Sequence, residues 1–124
     1  MGILGLGVDL VSIPRIKTLI DKYGERFLFR FFCEEEVNYA FKKSRPEVHI
    51  AASFASKEAF YKAVGGYSPF ILKEICLKRK SNGAPFLLLQ GNANQILSKI
   101  NVSKVWVALS HEKDYTISIV VLTK

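Results

Sequence analysis

Phe54-Ala55-Ser56-Lys57-Glu58-Ala59-Phe60-Tyr61-Lys62-Ala63 forms the heart of a longer stretch, Glu47 to Val64, in which Ile50, Ala51, Phe54, Ala55, Ala59, Ala63 and Val64 recur at steps of three and four. That spacing puts the apolar residues on one stripe of an α-helix, and Gly65-Gly66 supplies its stop. This is the longest helix the sequence predicts and the expected centre of the core. Glu58 and Lys62 lie four apart, so both charges project from the same largely apolar face. As an exposed pair they would contribute only about 0.3 to 0.5 kcal/mol.

A second charge in an apolar setting gives the first one meaning. Residues 2 to 13 are rich in Ile, Leu and Val without a helical period and end at Pro14, which predicts a buried strand, yet Gly5-Leu6-Gly7-Val8-Asp9-Leu10-Val11 carries an acid in its middle. Burying a carboxylate costs several kcal/mol unless a partner or metal compensates it. Asp9 and Glu58 are therefore candidate ligands of one divalent cation. Two acidic oxygens, with room for waters and phosphate, suit magnesium. Zinc is disfavoured because neither Cys nor His is clustered.

Ser12 followed by Pro14 marks a helix start, so a basic helix is expected from Pro14 to Tyr23, broken at Gly24. Phe27, Leu28, Phe31 and Phe32 predict a second helix over Glu25 to Phe32, and Glu34-Glu35-Glu36 opens a third that reaches Phe41. Lys42-Lys43-Ser44-Arg45-Pro46 reads as a basic loop. Beyond the long helix, Phe70 to Lys80 and Pro85 to Gln90 flank Asn82-Gly83, a strong hairpin signal. A short helix over 92 to 100 and two strands, Lys104 to Ser110 and Tyr115 to Leu122, complete the chain. The pattern predicts an α+β domain over residues 1–124, with an antiparallel sheet packed on the long central helix.

With 124 residues, 49% of them hydrophobic, the chain can bury one core. Its net charge of +7 calls for a polyanionic partner: a phosphorylated cofactor, an acidic protein or nucleic acid. Cys33 and Cys76 lack a CxxC arrangement and are expected as reduced packing residues. The first apolar run is too short to cross a bilayer, and a soluble cytoplasmic protein is expected.

The order and spacing of Gly7-Val8-Asp9, Arg15, Phe54-Ala55, Lys57-Glu58-Ala59, Lys62-Ala63, Asn82-Gly83, Pro85 and Ser110-His111 resemble the holo-acyl-carrier-protein synthases, a family of short bacterial phosphopantetheinyl transferases. The resemblance implies a 4′-phosphopantetheinyl transferase-like fold, assembled as a homotrimer with shared active sites. It implies transfer of 4′-phosphopantetheine from coenzyme A to a serine of apo acyl carrier protein, releasing 3′,5′-ADP and supporting fatty acid biosynthesis. Asp9 and Glu58 would hold Mg2+ on the coenzyme A pyrophosphate, and Lys62 would stabilise or protonate the departing phosphate. The base that takes the serine proton stays open.

By the same resemblance Lys57, Lys62, Gly65, Asn82, Gly83, Pro85, Ser110 and His111 meet coenzyme A, while Arg15, Lys22, Arg26 and Arg30 dock the acidic carrier. Two positions depart from the family: Ser53 stands where Arg is frequent and Ala84 where Lys is common. Lys42, Lys43 and Arg45 are expected to compensate at the 3′-phosphate. The alternative is a basic nucleic-acid-binding module using its Tyr and Phe as stacking platforms. Helical spacing of those aromatics favours core packing instead, so neither nucleic acid nor membrane is expected as a partner.

Overall fold

Glycine decides how the first strand meets the long helix. The computed structural model describes residues 2–66 and 69–124, and in it β1 (Ile3–Ser12) crosses α4 (Pro46–Ala63). Gly5 and Gly7 face the helix so closely that a Cβ on Gly7 would overlap the Ala59 carbonyl oxygen and stand 2.8 Å from the Ala63 backbone nitrogen. On the helix side Ala55, Ala59 and Ala63 keep the surface equally low. Strand side chains alternate, so Asp9 falls on the same face as Gly5 and Gly7 and lands on α4 beside Lys62.

Gly7→Ala is accordingly expected to force strand and helix apart. A loss of about 3 kcal/mol or more is anticipated from overpacking at backbone, read as a fall in the urea midpoint, whereas Gly2→Ala, where a Cβ meets nothing within 4 Å, should leave the midpoint nearly unchanged.

Ahead of α4 come α1 (Ile13–Tyr23), α2 (Glu25–Phe31) and α3 (Glu34–Phe41). Ser12 caps α1 as predicted, its Oγ accepting from the Arg15 amide at 3.3 Å. After α4, a single 3-10 turn at Leu72–Glu74 leads to β2 (Ile75–Arg79), β3 (Pro85–Leu89), α5 (Gly91–Lys99), β4 (Lys104–Glu112) and β5 (Tyr115–Thr123). The strand expected from Phe70 therefore starts only at Ile75, because the Glu74 carboxylate turns the chain by accepting from the Ile71 amide. At the β2–β3 turn Gly83 takes φ +89°, and Asn82 Oδ1 accepts from the Ala84 amide at 3.0 Å.

The fold is α+β with two antiparallel sheets, one ordered β1-β5-β4 and the other a β2-β3 hairpin. β5 is the middle strand, and its Ser118 meets Ser56 of α4, Oγ to Oγ at 3.0 Å. The first half of α4 packs with Ile13, Ile16, Phe27, Leu28, Phe32 and Val37; its second half packs with Ile75, Ala93, Val120 and Leu122. One helix thus serves both cores, with Lys57 and Glu58 at the junction.

Two expectations need correction. β1 is not buried on both faces: Leu4, Leu6, Val8 and Leu10 are exposed, because α4 covers the sheet from one side alone. The two cysteines are not free packing thiols; Cys33 and Cys76, with Cα atoms 6.0 Å apart, are joined as a disulfide between the start of α3 and β2.

Candidate functional site

The contact of β1 on α4 brings Asp9 and Glu58 to one cavity of about 420 Å³, lined also by Arg15, Leu19, Phe54 and Tyr115. Lys62 reaches over from the next turn of α4, its Nζ donating to Asp9 Oδ1 at 3.0 Å and to the Val8 carbonyl at 3.0 Å. Glu58 faces two further cavities. One, of about 450 Å³, is walled by Arg26, Arg30, Phe31 and Leu72; the other, of about 570 Å³, by Arg30, Tyr61, Phe70 and Ile71. Three clefts therefore meet at a single carboxylate.

Burial pushes the Glu58 carboxyl above its ordinary value, the Asp9 charge pushes it further, and Lys62 opposes both. Two like charges turned into one cleft, with a single lysine between them, form a site that a cation would stabilise. A carboxyl whose folded value is raised holds its proton more tightly in the native state, so its ionised form weakens the fold at neutral pH, and that penalty vanishes as pH falls through the raised value. In metal-free buffer, Glu58→Gln is thus expected to raise Tm at pH 7, with the gap over the native chain closing on acidification. A gap that widens toward low pH would reverse the assignment.

A second cluster forms at the other end of α4. Ser110 and His111 of β4, His49 and Val48 of α4, Arg79 of β2 and Thr116 of β5 line a cleft of about 150 Å³. His49 is held below its usual value by burial, then by Arg79, Lys43 and His111, which gathers two cations and a second imidazole around one ring. Tyr39 is their common platform: His49 meets its ring edge-on at 5.4 Å, Lys43 lies 4.9 Å from its centroid and Arg79 5.3 Å. His49, Arg79 and Tyr39 were not legible as site residues; the one local sign was Arg79 in the basic run that enters the Asn82-Gly83 turn.

The other predicted residues are spread more widely. Lys42 and Arg45 are exposed, Arg45 pairing with Glu47 at 3.4 Å, and Ser53 is buried in α4. Asn82, Gly83 and Pro85 shape the β2–β3 turn, and Gly65 ends α4 at φ +105°. Arg15, Arg26 and Arg30 reach the clefts around Glu58, whereas Lys22 lies over Tyr23, 5.4 Å from its centroid. Leu10 and Tyr115 stand between the acidic cleft and a cavity of about 510 Å³ lined by Ser110 and His111, so the two clusters do not merge within one chain.

Lys57 does not belong to the surface of any of these clefts, contrary to the role expected for it with coenzyme A. It is fully buried, donating to Glu36 Oε1 at 2.6 Å, to the Leu72 carbonyl at 3.1 Å and to the Ile75 carbonyl. Adjacent residues on a helix point about 100° apart, and Lys57 turns inward while Glu58 faces the clefts. Its role is to hold α4 to α3 and β2.

This constellation has counterparts in known proteins. The sequence profile of the 4′-phosphopantetheinyl transferase superfamily matches residues 5–120. The chain belongs to this superfamily. A holo-[acyl-carrier-protein] synthase of Halothermothrix orenii is 37% identical over 120 residues, spanning 96% of each chain. Among solved structures, the holo-[acyl-carrier-protein] synthase of Neisseria meningitidis superposes with a TM-score of 0.90 at 31% identity, covering 99% of this chain and 100% of that one. The Helicobacter pylori synthase, solved in complex with coenzyme A, superposes at 0.83 with 27% identity over 95% and 99% of the two chains.

As a phosphopantetheinyl transferase the chain is an enzyme, and the fold expected from the resemblance is the fold observed. Of the aromatics that a nucleic-acid module could present, Phe27, Phe32 and Phe60 are buried in the two cores, whereas Tyr23, Phe29, Tyr39, Phe41 and Tyr115 are exposed. Among the described residues no helix is long and apolar enough to cross a membrane.

Proposed function

We propose that the chain transfers 4′-phosphopantetheine from coenzyme A to a serine hydroxyl of apo acyl carrier protein, releasing 3′,5′-ADP in a magnesium-dependent reaction. The observation that carries this reading is the convergence of Asp9 and Glu58 in one cleft with Lys62 and Arg15 at its edge. The hard oxygen donors of Asp9 and Glu58 fit Mg2+, and their mutual repulsion gives it a place to act. Bound there, the cation would offset negative charge on the coenzyme A pyrophosphate.

The protein's own groups supply the rest. Lys62, half exposed and already turned to Asp9, is placed to take up charge on the departing 3′,5′-ADP phosphate. Glu58 lines the cleft that a serine hydroxyl would enter and is placed there to accept its proton. Arg15, Arg26 and Arg30 around the clefts, with Lys22 beside them, present positive charge to an acidic carrier. Ser110, His111, Lys43 and Arg79 offer a phosphate-binding cluster for coenzyme A, with Lys42 and Arg45 in the loop that enters α4 and Asn82, Gly83 and Pro85 in the turn after Arg79, while Gly65 stands at the opposite end of α4.

Two features support a homotrimer with shared sites. The outer face of the three-stranded sheet exposes Leu6, Leu10, Trp106 and Ile119, an apolar surface that a second copy would cover. The acidic and basic clusters, apart within one chain, would meet across such an interface. The setting is cytoplasmic fatty acid biosynthesis.

Incubation with coenzyme A, Mg2+ and apo carrier tests the reading: the carrier should gain the mass of one phosphopantetheine group, and an unchanged carrier mass overturns it. In the same assay Arg15→Ala is expected to raise the KM for carrier about tenfold, with a steeper loss at high salt, while the KM for coenzyme A moves less than about twofold. Equal rises for both substrates would assign Arg15 to the cofactor instead.

A further inference from the structure

The Cys33–Cys76 bond sits within a buried polar junction. Cys33, partly exposed at the start of α3, donates its amide to Glu36 Oε1 at 2.9 Å; Cys76, buried in β2, lies between Ile75, whose carbonyl receives Lys57, and Leu77, whose amide donates to Glu36 Oε2 at 2.9 Å. Glu35 and Lys78 add an ion pair between the same two elements. The two sulfurs and a Glu36 oxygen lie within 4.8 Å of one another, but Glu36 is committed to Lys57 and two amides, which leaves no ligand set for a metal.

Immediately before β2, Phe70, Ile71 and Leu72 form one wall of the cavity that opens on Glu58. Lys57, the residue preceding Glu58, holds the Leu72 and Ile75 carbonyls. The disulfide is the covalent member of the set of ties that fixes this wall to α3. We propose that Cys33 and Cys76 form a reversible thiol–disulfide switch that sets the mobility of the cavity wall beside Glu58.

Opening requires a dithiol reductant. Its thiolate attacks Cys33 Sγ, the accessible sulfur; the S–S bond breaks, and Cys76 leaves as a thiolate that takes a proton. The second thiol of the reductant then closes on the first, releasing Cys33 as a thiol, so that two electrons enter the protein and the reductant becomes a disulfide. Closure is the reverse process, with a low-molecular-weight disulfide as oxidant giving two thiols. The bond spans a separation of 43 residues that encloses all of α4. With it open, the wall keeps its apolar packing, its hydrogen bonds, its ion pairs and the β2–β3 ladder but no covalent tie to α3.

The experiment equilibrates the full chain in glutathione disulfide or in dithiothreitol, counts alkylatable thiols under denaturing conditions, and follows amide hydrogen exchange. The oxidised form should have no free thiol and the reduced form two. Reduction should lower Tm by about 10 °C and speed exchange at residues 70–77 about tenfold. Cys33→Ser should exchange at the fast rate in both buffers, and Cys76→Ala provides the same test from the buried side. A glutathione adduct on Cys33 without the internal bond, or equal exchange in the two buffers despite bond formation, overturns the switch. None of these readouts depends on catalysis: exchange that switches while no carrier is modified would sink the functional reading alone.

Discussion

Replacing Asp9 or Glu58 by Ala is expected to lower the rate of carrier modification about 1,000-fold, with far-UV circular dichroism close to that of the native chain and no loss of Tm that could account for it. The magnitude follows from removing one of two charged oxygen donors at the place where phosphate charge must be offset, a contribution of several kcal/mol at about 1.4 kcal/mol per factor of ten. Neither side chain holds the fold together. Among the described residues Asp9 has the half-exposed Lys62 as its side-chain partner, and the ionised Glu58 is disfavoured by burial and by Asp9 in the folded state. The double variant should be no slower than the slower single, because two residues acting on one centre do not lose activity additively. Near-native turnover by either variant, measured by carrier mass at fixed Mg2+, would remove the cleft from the mechanism.

The largest effect on stability is expected one residue away. Lys57→Ala strips Glu36 of its cation and leaves the Leu72 and Ile75 carbonyls short of a buried donor, a loss of about 3 to 5 kcal/mol. Burial alone presses Lys57 toward its neutral form and Glu36 opposes that pressure, so Glu36→Ala should be as damaging from the other side. Replacing both at once with apolar residues of similar volume, Lys57→Met with Glu36→Leu, should recover part of the loss, since no unpaired charge remains buried. Urea denaturation of the four proteins supplies the comparison. A double variant weaker than both singles would show that the pair contributes more than its own neutralisation.

The local signals were legible because they act over a few residues. Ser12 and Pro14 set a helix start, Asn82-Gly83 a hairpin, and the steps of three and four in Glu47 to Val64 the long helix; each depends on neighbours in sequence. The pairing of Asp9 with the Glu58–Lys62 turn was also readable, since a carboxylate in an apolar strand demands a partner. What could not be read depends on distant residues or on other chains. An apolar strand looks alike whether its second face meets the same chain or stands open, so the exposure of Leu6 and Leu10 was missed. Lys57 resembled its charged neighbours because its partner, Glu36, lies 21 residues away. Cys33 and Cys76 carry no spacing signal across 43 residues, and Tyr39, His49 and Arg79 converge only when α3, α4 and β2 have docked.

The apposition of Gly5 and Gly7 on the carbonyl of Ala59 and the main chain at Ala63 sets the separation of strand and helix by main-chain atoms rather than by side-chain volume. Drift elsewhere in either core can alter packing and resistance to denaturation without moving the carboxylate of Asp9 relative to the helix that bears Glu58. The geometry of the acidic cleft is thereby insulated from most of the substitutions that such a small enzyme accumulates.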